Sequence, residues 1–135
     1  MFSPAIHMRT TRRGFTLIEL LIVVVIIGIL ASIAIPKFAN TKSKAYIAAM
    51  KSDLRNLVTA EEAYFADSSA YASDTLKGMK FKPSTGVSMP VIAVNAGSWV
   101  ATNTHTQLGT FQCGIGVNTT NPVLSSAGDG EPTCK

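Results

Sequence analysis

Few side chains in this 135-residue chain are equipped for chemistry. Cys113 and Cys134 are its two cysteines, with no C-x-x-C spacing, and a zinc site would need further ligands. If the C-terminal end is exported, a disulfide is the natural reading; two small unpaired core residues are the other. Pairing would close a loop of about 22 residues, contributing roughly 3 kcal/mol. His105 is the only histidine beyond residue 14. With no Ser/His/Asp constellation around it, it reads as a solvated loop residue. Asp129 and Glu131 flank Gly130 and form a weak Ca²⁺ candidate, since two carboxylates need more oxygens to hold that ion. No other metal and no cofactor is implied, and the chain has no G-x-x-x-x-G-K-[ST] nucleotide loop. The remaining group is Glu19, the one charged side chain in the run FTLIELLIVVVIIGILASIAIP. A carboxylate in such surroundings costs a few kcal/mol on membrane-insertion scales, unless it finds a partner.

That run, residues 15–36, rises about 33 Å as a helix, enough to cross a bilayer core. A buried core helix is the weaker alternative, because a helix apolar on all sides needs a large protein around it. Arg9, Arg12 and Arg13 precede the run with no acidic residue among them. Basic residues beside an apolar segment set its orientation, with the N-terminus in the cytoplasm. Beyond residue 14 there are nine Lys/Arg against eight Asp/Glu. The pI of about 9.3 therefore resides in the first residues and gives no argument for specific nucleic-acid binding. With 47% hydrophobic and 15% charged residues, the chain is too apolar for disorder and too polar for several membrane spans.

Gly28 is a soft point in the run, and Pro36 is expected to kink or locally break the helix, or to end it at Ile35. Residues 37–66 continue as an amphipathic helix. Ile47, Met50, Leu54, Leu57, Val58, Tyr64 and Phe65 recur at steps of three and four, and Ala60 fills the gap. Lys51, Arg55, Thr59 and Glu62 fall on the opposite face. The helix should fray near Asp67, Ser68 and Ser69; if continuous from residue 15 it would run about 78 Å. Residues 67–135 form a small head. Strands are expected at 87–94, 98–104 and 111–117, with turn signals at Asn95-Ala96-Gly97 and Gly109. Pro90 demotes part of the first strand to an edge or bulge. Residues 118–133 read as a loop closed by the cysteines. So small a sheet needs the helix as its partner, with Trp99 and Phe111 as core candidates. The fold class is α+β: one long N-terminal helix packed on a small antiparallel sheet.

Residues 13–20, Arg13-Gly14-Phe15-Thr16-Leu17-Ile18-Glu19-Leu20, resemble the processing site of type IV pilins and of the related pseudopilins of type II secretion. The resemblance covers residues 12–66 and is only architectural beyond them. It implies that residues 1–14 are a leader removed by a prepilin peptidase between Gly14 and Phe15, and that Phe15 becomes the N-methylated terminus. It further implies that Glu19 is the family glutamate of assembly, and that Pro36 marks where the helix unwinds as subunits enter a filament. The implied product is a structural subunit, not an enzyme. It is held in the bacterial inner membrane and then polymerised into a cell-surface filament with copies of itself or with pilin-family co-subunits. The implied partners are the peptidase/methyltransferase and an inner-membrane assembly platform; a type II secretion pseudopilin is the alternative. Met8 offers a second start and a seven-residue leader.

Other readings are weaker. Thr11-Arg12-Arg13-Gly14-Phe15-Thr16 superficially resembles a twin-arginine export signal, with Ser32-Ile33-Ala34 as a cut site, but Glu19 interrupts the apolar region. A membrane-tethered enzyme finds no catalytic set. Asn118-Thr119-Thr120 fits a glycosylation sequon that is common by chance. Phe15, Phe38, Tyr46, Tyr64 and Phe65 lie along the helix, and packing explains them better than an aromatic conduction path.

Overall fold

The computed structural model describes residues 14–74 and 79–135. The described residues divide into two compact units, with the division between Phe38 and Ala39. Helix α1 (Leu17–Ser68) begins in the first and ends in the second. Four strands follow: β1 (Val91–Asn95), β2 (Ser98–Thr104), β3 (Gln112–Val117) and β4 (Thr133–Cys134). They form one antiparallel sheet in the order β1-β2-β3-β4.

In the first unit, α1 presents its apolar residues to its surroundings. From Leu17 through Phe38 every large apolar side chain is between 49% and 83% exposed. The helix runs on through Pro36, so it does not end at Ile35. Pro36 has no N–H for the carbonyl of Ser32, and the Ser32 hydroxyl donates to the Ile29 carbonyl at 2.7 Å.

In the second unit, Met50, Leu54 and Leu57 are fully buried against Trp99, Ala101, Cys113 and Ile115 of the sheet. Strand β2 alternates strictly, with Trp99, Ala101, Asn103 and His105 turned inward. Two of these four are polar. Asn103 Nδ2 donates to the Met50 carbonyl at 3.1 Å. His105 is buried and stacks on Tyr46 with ring centroids 4.1 Å apart, and its Nδ1 accepts the Gln107 N–H. The imidazole is therefore a core residue and not a solvated loop residue, because it continues the period of two begun at Trp99.

The first expected strand is shorter than 87–94. Pro90 cannot donate to a ladder, so regular pairing starts at Val91, and Val87 keeps only an isolated bridge to His105. Trp99 is fully buried, whereas Phe111 is half-buried and packs on the margin of the core. The expected loop 118–133 closes with a strand, since β4 pairs with β3 and places Cys134 opposite Cys113. The two cysteines are disulfide-bonded.

Two carboxylates lie on the buried face of α1. Asp53 accepts both the N–H and the hydroxyl of Ser84, each at 2.8 Å. Glu61 is fully buried, and its Oε2 accepts the Ala72 N–H at 2.9 Å. Next to it, exposed Glu62 accepts the Tyr71 hydroxyl at 3.1 Å. These three acids fasten the connection between helix and sheet to the helix itself. The helix ends where Ser69 adopts a left-handed φ of 55° and its N–H reaches the Phe65 carbonyl.

The outer face of β3 is covered by residues 118–131. Gly116 meets that loop backbone to backbone: a Cβ there would lie 2.7 Å from the Thr119 carbonyl oxygen. Asn121, buried beneath the loop, donates to the carbonyls of Gly114 and Glu131 and accepts from Val123 and Leu124. Gly116→Ala should therefore destabilise the head by about 1–3 kcal/mol through overpacking and open residues 118–133 to proteolysis. Thermal denaturation with limited digestion checks this.

Burial raises the pKa of Glu61 above the usual carboxylate value; the Ala72 N–H opposes the rise and neighbouring Glu62 adds to it. The folded state thus holds this proton more tightly than the unfolded chain. The Glu61 contribution to stability falls as pH rises from the unfolded value of about 4.5 through the raised one. Glu61→Gln keeps an acceptor for Ala72 and removes the charge. Its advantage over wild type in thermal midpoint should be largest at pH 7 and shrink towards pH 4.5. A pH series on the full chain in detergent checks the trend.

Candidate processing and assembly site

The residues expected to carry function cluster where α1 begins. Leu17 is the first helical residue, which makes Thr16 the N-cap and Glu19 the third helical position. The Glu19 N–H donates to Thr16 Oγ1 at 3.3 Å. In return, Glu19 Oε2 accepts the Thr16 N–H and the Thr16 hydroxyl, both at 2.8 Å. This is a reciprocal capping box, which satisfies backbone donors that the first helical turn leaves without internal partners. The carboxylate also sits at the positive end of the helix dipole. Glu19 thus has a local structural partner in its own chain. The spacing Thr16-x-x-Glu19 ahead of an apolar run carries that signal in the sequence; the resemblance to the processing site assigns Glu19 only its assembly role.

Phe15 precedes the cap and is 90% exposed. Among the described residues, a Cβ added at Gly14 would meet nothing within 4 Å, and the same holds for Gly28. Neither glycine is dictated by crowding among the described residues. Arg9, Arg12, Arg13 and the second start Met8 lie outside the described residues.

The apolar segment behind the cap has a mean hydropathy of 3.0 over its best 18-residue window, none of it buried. By length and composition it can cross a membrane. The segment is α-helical throughout from Leu17, the conformation that pairs interior backbone groups within itself as a bilayer interior requires, and Pro36 is the residue in it that has no N–H to pair.

The other candidate groups serve the architecture of the head. Asp129 Oδ1 accepts the Asn118 N–H, and Glu131 Oε2 accepts the Gly128 N–H. The two carboxylates address different backbone donors, and no group of three or more His, Cys, Asp or Glu residues that could hold a metal occurs among the described residues. Asn118, the sequon asparagine, takes a left-handed φ of 56°, and its amide donates to the Gly97 carbonyl. A surface cleft of about 410 Å³ between α1 and Met79-Lys80 is lined by Asn56, Thr59, Tyr64 and Asp67, which offer no nucleophile with an adjacent base. Cys113 and Cys134 are joined, and Gly14, Phe15 and Glu19 stand at the start of α1.

Comparison with known proteins bears on this N-terminal cluster. The profile described as the prokaryotic N-terminal methylation motif matches residues 9–35. The chain is 46% identical over 74 residues to the type IV major pilin protein PilA of Myxococcus xanthus (strain DK1622), covering 55% of this chain and 33% of that protein. It is 40% identical over 78 residues to the type II secretion system core protein G of Klebsiella michiganensis, covering 56% and 55%. It is 45% identical over 60 residues to the type IV major fimbrial protein FimA of Dichelobacter nodosus, covering 44% and 38%. The chain thus spans between a third and little more than half of the length of these relatives. Long apolar helix, capped start, small antiparallel sheet and methylation motif agree with one another, and over its N-terminal half the chain is similar to type IV pilins and type II secretion pseudopilins.

Proposed function

We propose that this chain is a structural, non-enzymatic subunit of a type IV pilus-like filament. Residues 1–14 act as a leader that a prepilin peptidase removes between Gly14 and Phe15, and the new amine of Phe15 is N-methylated. Residues 15–36 hold the subunit in the inner membrane, N-terminus inward, until an assembly platform packs the helix among those of other copies or co-subunits. Residues 37–66 then carry the head, residues 67–135, to the cell surface. The observation that carries this reading is the exposed apolar length of α1, with one carboxylate at its capped start.

The chemistry of that carboxylate supports it. Cleavage would create a cation at Phe15, and monomethylation keeps the charge. A carboxylate offers about four lone-pair sites, and Thr16 uses two of them. Glu19 can therefore accept the amine of a neighbouring copy while still capping its own helix. In a dry bundle the pairing would neutralise two costly charges and fix the axial register. In lipid no hydrophobic drive separates helix–helix from helix–lipid contact, so packing and charge pairing must decide assembly.

The alignment with core protein G covers 55% of that protein against 33% of the PilA pilin, and it favours a secretion pseudopilus as the second reading. The two share the same assembly chemistry. Neighbouring genes separate them: a retraction ATPase favours the pilus, a secretin with several pilin-like genes the pseudopilus.

Glu19→Val should leave the membrane pool of subunit unchanged and reduce sheared filaments at least about tenfold, the equivalent of about 1.4 kcal/mol per added subunit. Immunoblots of membrane and shear fractions read both quantities. Filament yield equal to wild type would overturn the role of Glu19.

A further inference from the structure

In the second unit the exposed charges of α1 are sorted along its length. Lys44, Lys51 and Arg55 precede Leu57, and Glu61, Glu62 and Asp67 follow it. Lys44, Arg55, Glu62 and Asp67 are exposed. At 100° per residue, Lys44, Lys51, Arg55 and Glu62 lie on one stripe of the helix, remote from the buried face of Met50, Leu54 and Leu57.

The sheet extends this sorting. Strand β2 runs against α1: Asn103 and His105 meet Met50 and Tyr46, whereas Trp99 lies 6.2 Å from Tyr71, whose hydroxyl reaches Glu62. Lys135 is hydrogen-bonded to Gln112, the strand partner of Thr104, and so joins the basic end. Asp129 caps Asn118, whose amide holds Gly97 beside the start of β2, and so joins the acidic end. The Tyr71 phenol registers that concentration of charge. Burial first, then the hydrogen bond to Glu62 and the fields of Glu62, Glu61 and Asp129, raise its pKa. Lys80, beside Asp67 in the surface cleft, and Asp53, buried against Ser84 among the basic residues, depart from the sorting.

Two features weigh against a role for this arrangement within the isolated head. The last turn of α1 contains Asp67 and no basic residue, although a helix C-terminus favours cations and disfavours carboxylates. Lys44 and Glu62 are 18 positions apart, about 27 Å along the helix. That is well beyond the Debye length of about 8 Å at physiological salt, so Lys44 and Glu62 do not neutralise each other within one copy; Arg55, seven positions from Glu62, lies about 10 Å away, near that length.

We propose that the basic stripe of Lys44, Lys51 and Arg55 on one copy docks against the acidic end formed by Glu62, Asp67 and Asp129 on a second copy of this chain. The proposal rests on the polymeric reading above. Complementary patches on opposite ends of one molecule make a head-to-tail contact, which propagates into an open array and not into a closed dimer. Each exposed pair is weak. Repetition at every copy lets the set fix the axial offset and penalise wrong registers, where like charges would meet.

The test uses the full-length chain in cells that assemble it. Lys44→Glu with Arg55→Glu, and separately Glu62→Lys with Asp67→Lys, should each lower the sheared filament fraction at least about tenfold, with the membrane pool unchanged. All four substitutions together restore complementarity with inverted sign and should return assembly to within about threefold of wild type. Rescue cannot come from a merely misfolded head. Two half-swapped chains that assemble like wild type, or a fourfold variant no better than its halves, would overturn the docking proposal alone. A wild-type chain that stays wholly in the membrane would overturn the polymeric reading as well.

Discussion

The apolar surface of α1 between Leu17 and Phe38 must be covered, and among the described residues its own chain does not cover it. That constraint orders the rest of the molecule. Water would not tolerate such a length of exposed Leu, Ile and Val, so the segment belongs in lipid or among other helices. Both environments forbid unsatisfied backbone donors, which is why the start of the helix matters. Thr16 and Glu19 close that start reciprocally. The same carboxylate is the charge that an apolar environment would otherwise penalise, and its placement at the N-terminal turn lets the helix dipole share in stabilising it.

The head solves a different problem. A four-stranded sheet with one two-residue strand cannot bury enough surface alone. It takes its core from Met50, Leu54 and Leu57 of the helix and a covalent tie between β3 and β4. Asp53, Glu61 and Glu62 then fix the intervening connection to the helix at Ser84, Ala72 and Tyr71. The acids are an unusual choice for this task, because a buried carboxylate is destabilised by desolvation. They are strong acceptors for backbone N–H groups that have no ladder partner, and a loop crossing a helix has few alternatives.

Much of this was legible in the residues. Hydrophobic length and periodicity placed the helix, and turn residues placed the β1–β2 hairpin. The motif around Gly14 and Phe15 carried the resemblance to type IV pilins and pseudopilins. What stayed hidden depended on tertiary contact. His105 read as solvated because a lone imidazole carries no sign of its burial; only the inward register of β2 and the ring of Tyr46 supply it. Asp53 and Glu61 fall at helical spacing among Met50, Leu54 and Leu57, but a carboxylate there cannot be told from a boundary residue until Ser84 and Ala72 arrive. Strand β4 is two residues long, too short for any pattern. The resemblance assigns Glu19 to assembly alone, whereas the geometry gives it a part within its own helix first, as the partner of Thr16 in a reciprocal cap.

The most direct measurement is the mass of the N-terminal peptide of the chain isolated from its native membrane. The account predicts a peptide that begins at Phe15 and is heavier by one methyl group. It would then present a methylated cation one residue before the cap that Thr16 and Glu19 form. A chain that begins after Ala34 would have lost the capped apolar helix altogether and would contradict the account. An uncut N-terminus would contradict it too, leaving a single-span anchor with no terminal amine at Phe15 for Glu19 to receive.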